Sequence, residues 1–133
     1  MVKITKKTDY GLSLLSALAS NPNELQSLRS ISDAKQLPYK FIGQVASTLL
    51  EAGIISSKEG ALGGYKLSKK PEDITLLEAM EALDGPAVRV DCLRGIVCAR
   101  AGQCTHQRVM CTLRDIVNES LQSKTLADLV TAK

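Results

Sequence analysis

Residues 37–67 read LPYKFIGQVASTLLEAGIISSKEGALGGYKL, and within them the apolar spacing changes period once. Phe41, Ile42, Val45, Leu49 and Leu50 recur at three and four, the spacing of a helix that buries one face. Pro38 suits a first helical turn, where its missing N–H is no loss. Ala52-Gly53 stops the helix, since glycine takes the left-handed conformation at little cost. Ile54 to Ser57 and Tyr65 to Leu67 are then β-prone, with the glycine-rich run Gly60 to Gly64 between them. The spacing predicts a hairpin with a long tip.

Upstream, Tyr10, Leu14, Ala17 and Leu18 form one apolar stripe with Gly11 near its start. Thr8 offers an N-cap hydroxyl, and Asp9 puts an acid in the first turn, where the helix dipole favours it. Residues 2–7 alternate loosely and predict a short strand. Asn21-Pro22-Asn23 ends the first helix near Ser20. Leu25, Leu28 and Ile31 mark a short second helix, with Ser30 or Ser32 capping a further turn through Asp33, Ala34 and Lys35. Three helices and then a hairpin is the order of a winged helix-turn-helix. Its second motif helix would be Pro38–Ala52 and its wing Ile54–Leu67. The expected fold is mainly α with a small β-hairpin wing, and residues 1–70 form the DNA-binding domain.

Downstream, Pro71 opens a new section. Leu76, Leu77, Ala79, Met80 and Leu83 predict a connecting helix within residues 71–91, ended by Asp84-Gly85-Pro86. Residues 109–133 hold a long helix with Val109, Leu113, Ile116, Val117 and Leu121 in one stripe. That stripe is too narrow to be enclosed in a monomer, so a homodimer built on this helix is expected. Thr125 with Asp128 three residues on is an aspartate version of the capping box.

Between these helices, residues 92–108 form a distinct loop. All four cysteines lie at Cys92, Cys98, Cys104 and Cys111, as C-x5-C-x5-C-x6-C, with the single histidine, His106, among them. Thiolates are soft donors suited to zinc, copper(I) and iron–sulfur clusters. Arg94, Arg100 and Arg108 interleave with them, and positive charge favours the thiolate. Zinc sites favour closer cysteine pairs than these; a thiol-only redox switch is the other alternative.

The chain has 133 residues, no Trp and one Phe, so any core must be aliphatic. Its net charge of +3 hides an asymmetry. Residues 1–70 hold ten Lys/Arg against five Asp/Glu, and residues 71–133 hold seven against nine. The basic half is the expected face for an acidic polymer such as DNA. The first residues lack the apolar stretch of a secretion signal. No apolar run approaches the ~20 residues of a membrane span. A cytoplasmic protein without membrane contact is expected, and there clustered cysteine reads as metal or redox chemistry rather than structural disulfide. There is no C-x-x-C pair, only one histidine and no nucleotide-binding glycine motif, which argues against an enzyme and against a small-molecule substrate.

Several stretches resemble one known family. They are Ile4 to Leu12, Leu37 to Val45 with Leu49, Ala52, Gly53 and Ile54, the wing Gly60 to Leu67, the cysteines Cys92, Cys98 and Cys104, and Thr125 to Leu129. Together and in this order they resemble the IscR/NsrR family of bacterial winged-helix regulators, over nearly the whole chain. The resemblance implies a homodimeric transcription factor in the bacterial cytoplasm that binds a double-stranded DNA operator. It also implies an iron–sulfur cluster on Cys92, Cys98, Cys104 and one other ligand. Members with a histidine ligand place it three residues after the third cysteine; His106 follows Cys104 by two. The nitric-oxide sensors of the family use an aspartate at the start of the first helix, the position of Asp9. Asp9 therefore ranks first as fourth ligand, His106 second and Cys111 third, with a 2Fe–2S cluster slightly preferred to 4Fe–4S. Glu59 and Gly43 stand where many members carry a base and an acid.

For DNA, the expected contacts follow from helix-turn-helix docking, in which the second motif helix presents its N-terminal residues to the major groove. Pro38, Tyr39, Lys40 and Gln44 occupy that end, and glutamine can pair with adenine. Ser27, Arg29 and Lys35 are candidate phosphate contacts, which position without specifying. Lys58, Gly63 and Gly64 belong to the wing, where glycine allows close backbone approach. A regulator without a cluster, responding through its thiols to redox state, is the alternative reading.

Overall fold

Helix α1, Lys6–Ser20, begins where Thr5 is still extended and its hydroxyl accepts a hydrogen bond from the Thr8 N–H at 3.2 Å. In this computed structural model, residues 4–86 and 107–131 are described. The cap is therefore Thr5, not Thr8. Thr8 sits one turn inside and is buried, and a residue in helical conformation cannot cap. Of the strand expected over residues 2–7, only residues 4–7 are described, and there Thr5 is the helix cap and Lys6 and Lys7 are the first helical residues.

Helix α2 is Leu28–Lys35, capped by Ser27, whose hydroxyl accepts from the Ser30 N–H at 3.1 Å. One helix replaces the two short turns expected there. Leu25 lies outside it, because Gln26 is drawn into a backbone pairing with Tyr65 (2.9 and 2.7 Å). Ser32 caps nothing; it is buried, and its hydroxyl donates to the Leu37 carbonyl. Gln36 turns the chain in the left-handed region at φ 55°, and the Leu37 N–H returns to Ser32 O at 2.9 Å. This is the tight turn that leads into α3, Tyr39–Glu51, with Pro38 at its cap.

Strands β1, Ile55–Lys58, and β2, Gly64–Leu67, pair antiparallel, with Ile55 opposite Leu67 and Lys58 opposite Gly64. The period change inside residues 37–67 therefore marks the real boundary between helix and hairpin. A 3-10 turn at Pro71–Asp73 leads to α4, Leu76–Asp84, capped by Thr75. After the segment outside the described residues come α5, Gln107–Gln122, and α6, Leu126–Thr131.

One aliphatic core joins most of these elements. Leu14, Leu15 and Leu18 of α1 meet Ile42, Val45 and Leu49 of α3, Ile55 and Leu67 of the hairpin, and Leu83 of α4. The C-terminal helix closes the same core through Leu126. Its entry is fixed by two backbone bonds to the start of α4: Leu76 N–H to Lys124 O at 2.8 Å and Leu126 N–H to Ile74 O at 2.9 Å. Asp128 accepts from the Thr125 N–H at 2.8 Å, the acid half of the expected capping box. Helix α5 is different. Among its described residues none is buried, and Val109 and Ile116 of the predicted stripe are largely exposed.

Candidate nucleic-acid interface

The basic end of the molecule gathers the starts of α2 and α3 beside the hairpin. A cleft of about 440 Å³ opens there, with Ser27, Arg29, Tyr39, Lys58, Glu59, Gly63 and Gly64 in its lining. Six of the ten expected DNA contacts thus share one concavity. Pro38, Lys40 and Gln44 are exposed on α3 outside the cleft, and Lys35 is exposed in the last turn of α2. Lys40 and Gln44 are four residues apart on α3, so they lie on one face of that helix.

Two features hold the cleft in shape. Tyr65 of β2 pairs with Gln26 through two backbone hydrogen bonds, which ties the hairpin to the lead-in of α2. The Gln26 side chain also donates to the Ala17 carbonyl of α1 at 3.0 Å. Gly64, at φ +152°, allows this pairing; a Cβ there would stand 2.7 Å from the Gln26 carbonyl oxygen. Gly63 has no room for a side chain either, because a Cβ would run into the Lys58 carbonyl. The second feature is a stack: the Arg29 guanidinium carbon lies 3.9 Å from the Tyr39 ring centroid. Neither the Gln26 bridge nor the stack is announced by the sequence. A single-residue bridge has no periodicity, and the stacked pair is brought together only by the turn at Gln36.

The candidate cluster ligands divide. Cys92, Cys98, Cys104 and His106 lie outside the described residues. Asp9 is exposed in the first turn of α1, and its carboxylate makes no hydrogen bond or ion pair with the described residues. Cys111 is a half-buried free thiol on α5. Among the described residues, no three His, Cys, Asp or Glu side chains gather to hold a metal ion. A carboxylate with no partner among the described residues, added to three soft thiolates, would be a donor set that fits an iron–sulfur cluster with one oxygen ligand.

The surroundings of Asp9 matter for what it can influence. Tyr10, its neighbour, packs edge-on against Phe41 of α3, with ring centroids 5.1 Å apart and planes at 77°. Gly11 is buried against Leu83 of α4, so closely that a Cβ would overlap the Leu83 methyls. The first turns of α1 therefore touch both the helix that presents Tyr39 and the helix that leads into the cysteine-bearing segment.

A short second helix, a third helix with exposed polar residues at its start, and a two-stranded wing define a winged helix-turn-helix DNA-binding protein. Comparison with known proteins agrees. Residues 4–132 match the model of the Rrf2 family, described as iron-dependent transcriptional regulators. The chain is 35% identical over 129 residues to the HTH-type transcriptional regulator CymR of Bacillus subtilis, covering 96% of this chain and 89% of CymR. It is 28% identical over 121 residues to the regulator NsrR of Shouchella clausii, covering 90% and 78%. Among solved structures, that of CymR (YrzC), the global cysteine regulator of B. subtilis, superposes with a TM-score of 0.84 at 33% identity over 100% of this chain and 99% of that one. That of T. potens IscR superposes with a TM-score of 0.78 at 27% identity, over 98% and 87%. The chain belongs to the Rrf2 family of transcriptional regulators. As a member it binds DNA and is not an enzyme. Among the described residues no helix is long and apolar enough to cross a membrane.

Proposed function

We propose that the chain is a homodimeric regulator of the bacterial cytoplasm whose operator affinity is set by an iron–sulfur cluster on Cys92, Cys98, Cys104 and Asp9, with His106 the second choice for the fourth ligand. In this reading residues 1–70 contact DNA and residues 71–91 connect. Residues 92–108 carry the ligands, and residues 109–133 pair the two protomers along the exposed stripe of α5. The contacts to the duplex are Ser27, Arg29, Lys35, Pro38, Tyr39, Lys40, Gln44, Lys58, Gly63 and Gly64. The observation that carries the reading is the position of Asp9. Its carboxylate is exposed and engages none of the described residues, and the next residue packs on Phe41 of α3 at 5.1 Å. A bound cluster supplies a redox-active, effector-reactive centre with one weak non-thiolate bond. The protein's own part is mechanical. Holding the Asp9 carboxylate fixes the first turn of α1, and Tyr10 transmits that to the seat of α3. Two recognition helices must meet half-sites roughly 34 Å apart, so a small change in their setting weakens binding.

The test is anaerobic purification followed by iron and sulfide analysis and operator-binding titrations before and after the iron is stripped. Coloured protein with iron and sulfide, and an affinity that changes on stripping, is the expected result. Colourless protein, or equal affinity in both states, would overturn it.

A second reading is favoured by one observation: the solved relative described as a global cysteine regulator matches the full chain at a higher TM-score than IscR does. In that reading the thiols themselves respond to redox state and no cluster forms. Replacing Cys92, Cys98 and Cys104 together by alanine separates the two. Loss of iron together with loss of the effector response supports the cluster. A retained response that disappears only with Cys111→Ala supports the thiol reading.

A further inference from the structure

The cleft beside α3 contains a pair whose geometry is more specific than a phosphate contact requires. Arg29 is the second residue of α2 and Tyr39 the first of α3, and the turn at Gln36 stacks the guanidinium on the ring at 3.9 Å. Both residues are exposed. Arg29 forms no ion pair among the described residues, although Glu59 lines the same cleft. A cation in the first turn of a helix also opposes the helix dipole, so α2 does not explain its presence there. Seated over the ring, the guanidinium is restrained in position, and its N–H donors make no hydrogen bond among the described residues. The guanidinium stands on the first residue of α3, the helix whose N-terminal end is expected to enter the major groove.

We propose that Arg29 reads a guanine in each half-site, through the O6 and N7 acceptor pair of the major groove, and that Tyr39 is a positioning residue that holds the guanidinium plane. The proposal rests on α3 being the recognition helix. A phosphate is approached from many directions and asks little of the donor's orientation. The guanine edge presents two acceptors side by side and rewards a fixed fork. Tyr39 remains 45% exposed, so the ring is available as a platform without being part of the core.

The experiment selects binding sites from a random duplex pool with the full chain, as wild type and as Arg29→Ala, Arg29→Lys, Tyr39→Phe and Tyr39→Leu. Affinities of the winning duplexes and of single-base variants are then titrated over a range of salt. The wild type is expected to select guanine at one symmetric position. Arg29→Ala and Arg29→Lys should both lose about 5- to 150-fold discrimination at that position only, with the salt slope of Arg29→Lys unchanged. Tyr39→Phe keeps the ring and should keep the preference. Tyr39→Leu should weaken it, and combining Tyr39→Leu with Arg29→Ala should cost no more than Arg29→Ala alone. Both side chains are exposed, so the thermal midpoints should stay at the wild-type value. A uniform loss of affinity across all sequences in Arg29→Ala, with a salt slope shallower by about one, would make Arg29 a phosphate clamp and overturn the proposal. An unchanged selection by Arg29→Ala would overturn it equally. A wild type that selects no sequence would instead remove the recognition-helix assignment beneath it.

Discussion

Replacing Leu126 with alanine tests whether the C-terminal helix belongs to the DNA-binding body. Leu126 is 0% exposed and lies in the same core as Leu14, Leu18 and Ile42. Truncation removes about three methylene equivalents, each ~0.8 kcal/mol when buried. A residual cavity adds to this, so a loss of ~3 kcal/mol is expected, inside the ~2–5 kcal/mol span for such truncations. With a urea dependence of about 2 kcal/mol per molar, the midpoint should fall by about 1.5 M. The chain has no Trp and three Tyr, at Tyr10, Tyr39 and Tyr65, all in the N-terminal half. Tyrosine fluorescence therefore reports that half alone, while far-ultraviolet dichroism reports every helix. Both signals should shift together when protomer concentration is held fixed, because association changes apparent stability. Val130→Ala, at a position 42% exposed, is the control and should move neither by more than ~0.5 kcal/mol. The reasoning fails if the tyrosine transition stays at its wild-type midpoint while only the dichroism changes. That result would make α6 an appendage rather than part of the core.

Two glycines inside helices should respond in opposite directions. Gly11→Ala drives a methyl into Leu83 and should cost ~1–3 kcal/mol, whereas Gly43→Ala meets nothing within 4 Å and should gain ~0.5–1 kcal/mol, both read by thermal denaturation. Thr5→Ala removes the hydroxyl that caps α1 and should cost ~1 kcal/mol, while Thr5→Ser should retain most of it. Gly64→Ala forces the hairpin away from Gln26; hydrogen exchange at the Tyr65 amide should accelerate and DNA affinity should fall. Slow exchange at that amide in the variant would show that the bridge does not depend on the glycine.

How much of this was legible in the chain depends on whether the deciding contact is local. The α3–hairpin boundary is legible because the helical apolar spacing gives way to a β-prone run within a few residues, with Gly53 at the turn. The stripe on α5 and the Thr125–Asp128 bond were legible for the same reason, since each is settled within one or two turns of helix. The start of α2 was misread because Leu25, Leu28 and Ile31 keep helical spacing while the backbone at Gln26 is claimed by Tyr65, a residue far along the chain. Thr5 and Thr8 are equivalent candidates for a cap on composition. Burial of Thr8 in the folded chain decides between them. In the site, the exposed polar residues at the head of α3 could be listed, but the Arg29–Tyr39 stack could not, because the left-handed turn at Gln36 creates it. The cysteine spacing is compatible with both a metal ligand set and a thiol switch, and Cys92, Cys98 and Cys104 lie outside the described residues.

Under the proposed function, the first turns of α1 let sensing and reading share a small molecule. Successive residues on an α-helix point about 100° apart. Asp9, Tyr10 and Gly11 therefore face three directions: Asp9 to solvent, Tyr10 to Phe41 of α3, and Gly11 to Leu83 of α4. Helix α1 cannot rotate to move one of these without moving the other two. Under the proposed function this removes any need for a dedicated relay. A ligand that captures the Asp9 carboxylate acts on the same turn that α3 leans on, and Gly11 prevents α4 from yielding, since Leu83 already fills the space a side chain would take. The coupling is a property of close packing between three helices. It should weaken when the Tyr10–Phe41 contact is loosened, even if every cysteine and every DNA-facing side chain is left in place.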